Sequence, residues 1–313
     1  MSARERVLTA IAQKEPDRVP YNLMLVPDLA TLVKQHTGTD DYAEHFDHDV
    51  RFVTHTIPEK PEDIPVVEWT PEPTPEDIAK LAEATRAYHE RGYAVCGRRH
   101  CGVYEQAKHW IGPEAAIIGP YENPKEFTVL LDRITEWKCS LSSAYATAGT
   151  DIVWIGDDLG TQRSLVMSPA QYREWYKPRH RYIVERIRAI NDDVKIAFHC
   201  CGHVTPLIGD LIEVGVDILQ AVQAECMDLA ELKQEFGSAL TFWGGVGAQS
   251  VFARTTPEQV IEGVRSTLRV MAPGGGYIAS PCHTLTEEVP WESIVAFHKG
   301  LEVYGAYPNP GDN

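Results

Sequence analysis

No stretch of this 313-residue chain is apolar over anything near the ~20 residues that a bilayer-crossing helix needs. Basic residues are also in short supply. Lys plus Arg number 29 against 45 Asp plus Glu, a formal net charge of −16. Such a surface repels phosphate backbones and anionic lipid, so nucleic-acid and membrane partners are not expected. Internal repeats and low-complexity tracts are missing. So is the glycine-rich GxGxxG turn after a first strand, which excludes a dinucleotide-binding Rossmann reading; Gly244-Gly245-Val246-Gly247 comes far too late in the chain. Residues 1–20 (MSARERVLTAIAQKEPDRVP) are charged throughout and do not read as a secretory leader. A cytoplasmic, reduced protein is the expectation. Its seven cysteines (96, 101, 139, 200, 201, 226 and 282) are then free to be core residues, nucleophiles or metal ligands.

What is present is an alternation of short β-branched runs with amphipathic helical stretches. Val7, Leu8 and Ile11 mark an N-terminal helix within residues 1–20, closed by Pro16. Eight strand candidates follow, at 21–26, 49–53, 93–98, 151–156, 195–199, 217–222, 240–243 and 276–279. Helices are expected between them at 75–90, 124–148, 168–190, 205–213, 228–236, 256–271 and 289–304. Ser168-Pro169 and Thr256-Pro257 each supply a capping side chain followed by a first-turn proline. Alternation implies a parallel sheet, and eight strands at this length imply one (β/α)8 barrel domain over residues 1–313. Residues 55–75 are proline-rich and read as a loop that covers the barrel rather than as a linker.

In such a barrel the chemistry gathers at the C-terminal ends of the strands. Polar and sulfur residues collect there: Asn22; Arg98, Arg99, His100 and Cys101; Asp157 and Asp158; His199, Cys200 and Cys201; Gln220 and Gln223; Trp243; Cys282 and His283. The sharpest group is the His199-Cys200-Cys201 run together with Cys282. An H-x-C at a strand end puts His199 and Cys201 on one side of the pleat. A third thiolate arriving across the mouth completes a Cys2His set, and zinc on three protein ligands keeps a catalytic position open. Thiolate-rich zinc suits attack by a bound sulfur nucleophile better than hydrolysis. The alternative is that the cysteines are core residues, among which free Cys is common. Asp157, Asp158 and His283 are the acid–base candidates, with a turn or helix-cap role as the alternative for the two aspartates. Arg98 and Arg99 read as a carboxylate clamp for a substrate or cofactor, with a solvated surface pair as the alternative, and Asn22, Gln223 and Trp243 as further substrate contacts.

Longer runs of the sequence resemble the uroporphyrinogen decarboxylase superfamily. They are ERVLTAIAQKEPDRVP, DDLGTQRSLVMSPAQYREWYKPRHRYIVERI, HCCGHVTPLIGDLIEVGVDILQAVQ, LTFWGGVGAQ and GGGYIASPCHTLTEEVPWESIVAFHKGLE. The resemblance covers nearly the whole chain and implies a (β/α)8 barrel. True decarboxylases of this superfamily carry an Arg-rich segment after the first strand; here that stretch reads PYNLMLVPDL. The resemblance therefore points to the other branch, methyltransferases that use zinc and work with corrinoid proteins. His199, Cys201 and Cys282 match the metal pattern of that branch and of cobalamin-independent methionine synthase. Where the synthase has a ligating Glu, this chain has Gln220 and Gln223, so the fourth position is open or filled by Glu225. The implied function moves a methyl group between a small molecule and a corrinoid on a separate protein, a thiol or a folate. Decarboxylation of a porphyrinogen or a smaller acid is the alternative. A homodimer is compatible with a barrel of this size.

Overall fold

The structure, a computed structural model, describes residues 1–98, 102–253, 255–308 and 310–311. Seven parallel strands form its sheet: β1 (Val50–Val53), β2 (Ala94–Arg98), β3 (Ile152–Gly156), β4 (Lys195–His199), β5 (Ile218–Val222), β6 (Thr241–Val246) and β7 (Tyr277–Pro281). They pair in chain order, β1 next to β2 through to β7. Helices connect them, as a parallel sheet requires. Two apolar layers result. Val7, Ile11, Met24, Val50, Ala94, Cys96, Ile152, Trp154, Ala197, Ile218, Trp243 and Ile278 fill the inside of the curled sheet. A larger cluster lies between sheet and helices.

Seven of the eight expected strands form. The first, residues 21–26, does not, and the correction has a backbone cause. The segment lies alongside β7 and makes isolated parallel bridges, Tyr21 to Ala279 and Leu25 to Leu285. On its other side Tyr21 N is taken by the Asp49 carboxylate (2.8 Å), although Tyr21 O accepts from Asp49 N (3.0 Å). One amide is diverted to a side chain, and Pro20 and Pro281 have none to give, so no continuous ladder runs. The architecture is TIM-like, with an extended segment where an eighth strand would stand.

Most helix signals translate directly. Ser2, Thr74 and Thr256 each form a reciprocal capping box, at Ala3–Ile11, Pro75–Glu90 and Pro257–Met271. The single helix expected over 168–190 is two, Pro169–Trp175 and Lys177–Ile190, parted at Tyr176. Pro178 lacks an amide and its ring excludes the carbonyl four residues back, which breaks the run. Helices Val103–Ile111 and Pro113–Glu122 lie where none was expected.

Candidate active site at the C-terminal ends of the strands

Strand register sets the site. Gly156 of β3 pairs with His199, His199 with Gln220, and Gln220 with Trp243, so these residues stand at one level round the sheet. His199 Nδ1 and Gln220 Oε1 are hydrogen-bonded, which orients the ring and turns Nε2 toward the mouth. The ring stacks on Trp154 at 5.4 Å between centroids. Beyond the strand end, Cys201 Sγ lies 3.5 Å from His199 Nε2, as the H-x-C spacing implied. Asp158 Oδ1 lies 3.5 Å from the same Nε2 and accepts from Cys201 N at 2.8 Å. Donor atoms of Asp158, His199 and Cys201 all fall within 4.8 Å of one another.

Two glycines allow this convergence. The turns after β3 and β4 touch backbone to backbone, and His203 N donates to Thr161 O (2.8 Å). Gly202 has φ +80°, and a Cβ there would sit 2.5 Å from Thr161 O. A Cβ on Gly160 would sit 2.7 Å from Cys201 O. Side chains at either place would push Asp158 and Cys201 apart.

Burial governs the protonation of these groups. Burial holds His199 below its usual pKa, so the imidazole is neutral and its lone pair is available. Burial and the neighbouring Asp158 carboxylate push the Cys201 thiol up. Cys282 is pushed up to about 12 by burial and by Glu225. Both thiols are therefore protonated and neutral at pH 7; a cation bound beside them would favour their thiolates.

The other candidates distribute unevenly. Cys282 stands outside the close trio: its Sγ accepts from Ala248 N (3.2 Å) and faces Glu225 Oε2 at 3.5 Å. Asp157, an acid–base candidate in the sequence, is fully buried. Its carboxylate accepts from Val103 N, Tyr104 N and Glu105 N, and pairs with His180 Nε2 at 2.8 Å. It caps the first turn of helix Val103–Ile111, the cap alternative open to a turn aspartate. Trp243 is also buried, with Nε1 donating to Asn22 Oδ1 (2.7 Å), so both floor the site rather than wall it. Gln223 spends its Oε1 on Gly202 N (3.0 Å), holding the turn that carries Cys201. His283 is exposed and lines a separate cavity with Gln249 and Glu288. Arg98 points inward, its guanidinium 5.0 Å from the Trp154 ring and 2.8 Å from Met24 Sδ. Arg99, His100 and Cys101 lie outside the described residues.

Of the two residues that bracket His199, Gln220 stands among the strand-end polar residues that the sequence picks out, though not with the role of orienting the ring, and Trp154 does not. Each sits in a short apolar run where a core role is the default. Only a two-residue spacing from the strand end hinted that they face inward.

Comparison with known proteins agrees with the fold. The family model described as uroporphyrinogen decarboxylase (URO-D) matches residues 104–302, and the chain belongs to that family. Uroporphyrinogen decarboxylases from Pseudomonas syringae pv. syringae and pv. tomato are 28% identical over 180 residues, 56% of this chain. The chain thus spans about half, 48%, of these relatives' length. A methyltransferase from Methanosarcina mazei has the same fold at 16% identity and a TM-score of 0.71, over 97% of this chain and 99% of the other. A family 10 endo-β-1,4-xylanase from Gloeophyllum trabeum is a more distant barrel, at 12% identity and a TM-score of 0.56 over 93% and 98%.

Proposed function

We propose that the chain is a methyl-transfer enzyme built round a zinc ion at His199 and Cys201. The observation that carries this is the convergence of His199 Nε2, Cys201 Sγ and Asp158 Oδ1 within 4.8 Å at the C-terminal strand ends. Neutral imidazole, thiol and carboxylate are a donor set that zinc accepts. Cys282 is the further ligand that the residue pattern adds, with Glu225 behind it. Bound there, zinc supplies Lewis acidity that holds a substrate thiol as its thiolate. The protein's own groups do the rest. Gln220 fixes the imidazole, Asp158 orients Cys201 through its amide, and Arg98 holds an anionic group of the small molecule at the mouth. The methyl group passes between that molecule and a corrinoid on a separate protein, or a folate. The fold shared with the Methanosarcina mazei methyltransferase supports this reading.

Metal analysis tests it. The purified protein should hold about one zinc per chain. His199→Ala and Cys201→Ser should each release it while far-UV circular dichroism stays unchanged. Comparing Asp158→Asn with Cys282→Ser then identifies the third ligand. Absence of zinc, with full activity in Cys201→Ser, sinks the proposal. The names of the two Pseudomonas relatives favour a second reading, decarboxylation. Conversion of uroporphyrinogen to coproporphyrinogen by the pure protein would decide for it.

A further inference from the structure

A cavity of about 750 Å³ opens beneath the proline-rich segment, beside the ends of β1 and β2. Its lining runs against the chain's overall charge. In a chain of net charge −16, none of the described lining residues is acidic, while Lys60, Arg98 and Lys138 all line it. Lys60 turns its ammonium onto neutral carbonyls, Pro61 O (2.6 Å) and Ile64 O (2.8 Å), and no carboxylate among the described residues pairs with it. Lys138 is 6% exposed and donates to Gln106 Oε1 at 2.7 Å. The aromatic part of the wall is indole, beside Ile57, Pro58 and Val66. Trp110 and Trp137 lie 5.8 Å apart and within 14° of parallel, and Trp69 completes the set. Trp137 Nε1 donates to Pro71 O (2.8 Å) and Arg133 Nη1 to Val67 O (3.1 Å), so the covering segment is tied down over the cavity.

We propose that this cavity binds a planar aromatic carboxylate, its ring against the indoles of Trp69 and Trp110 and its anionic group between Lys60 and Arg98. Aromatic faces take flat rings in offset stacks, and a cation-lined, acid-free pocket in an acidic protein concentrates small anions. Arg98 also faces Trp154, and Trp154 stacks on His199. The acid is therefore anchored at the border between the cavity and the strand-end site. Calling it the substrate rests on the methyl-transfer reading; its binding does not.

Titration of tryptophan fluorescence in the full chain tests binding without turnover. Benzoate should quench saturably. Benzamide, equally flat but uncharged, and cyclohexanecarboxylate, charged but not flat, should each bind about tenfold more weakly, the loss of one strong contact. Lys60→Ala, an exposed change, and Trp110→Leu should each weaken benzoate at least about fivefold, as loss of a charge or a stacking face does. Zinc content should stay constant in both variants. The inference falls if benzoate fails to saturate or if benzamide matches it. It also falls if neither variant weakens binding while near-UV circular dichroism shows them folded. Benzoate binding by zinc-free protein would sustain this inference and count against the metal reading. Bound zinc without benzoate binding would do the reverse.

Discussion

The Asp157 carboxylate accepts from three successive amides and from His180, with side-chain exposures of 0% and 2% for the acid–imidazole pair. One bond further along the chain, Asp158 is a third exposed and faces His199. The dipeptide looks symmetrical in sequence, and only the direction of each side chain separates cap from site. Asp157→Ala strands a buried histidine and an open helix end; it should cost about 3 kcal/mol or more in urea unfolding. Asp158→Asn should leave stability within about 1 kcal/mol and change metal content instead. A second residue-scale prediction concerns buried His48 and half-buried His298, whose Nε2 atoms lie 3.0 Å apart. Burial holds His48 well below its usual 6.5 and takes His298 down to about 3. As pH falls below 6.5 the unfolded chain takes up protons at both sites and the folded chain does not. Stability contributed by these neutral rings is complete above that pH and is lost progressively toward pH 3. His298→Phe, whose ring keeps the stack on Phe46 at 3.9 Å, should shallow the loss between pH 7 and 5 in urea midpoints, since one of the two sites is gone.

At the scale of elements, local signals decided most boundaries. Thr256 followed by Pro257 and Gln259 specifies a helix start whatever surrounds it, and Thr256→Ala should cost about 1 kcal/mol without touching zinc content. The turns behave otherwise. Gly202→Ala meets a positive φ and a carbonyl 2.5 Å away at once. It should destabilise by about 1–3 kcal/mol and lower zinc retention, read by dialysis against a chelator. Nothing in the run HCCGH marks that glycine as a contact with residue 161; the requirement arises only when two strand ends stand side by side. Residues 21–26 show the converse. Their composition is that of a strand, yet Asp49, distant in sequence, takes the amide a ladder needs.

For the molecule as a whole, net charge is the property with the widest reach. At −16, repulsion acts over about 30 Å at 0.01 M salt and about 8 Å at 0.15 M. The melting temperature should therefore rise with moderate salt, because buried pairs such as Arg6–Asp49 (0% exposed at the acid) are screened far less than the surface. No helix among the described residues is long and apolar enough to cross a membrane. The cation-lined cavity departs from that charge, with no acidic residue among its described lining. Its described lining comes from residues 54–69, from Arg98 and residues 106–110, and from 137–138, too far apart for any spacing rule to join.

The sequence by itself determined the order of the seven strands and of most helices between them, and hence a parallel sheet. It also placed His199 beside Cys201, because period-two alternation and capping are local physics carried by neighbouring residues. Tertiary structure decided the rest. It turned Asp157 into a cap and Asp158 into a neighbour of the imidazole, and it set Cys282 against Glu225 rather than in the close trio. It also gathered three lysine and arginine side chains and three indoles round one cavity. These outcomes depend on backbone register and on contacts between distant segments, which no window of sequence contains.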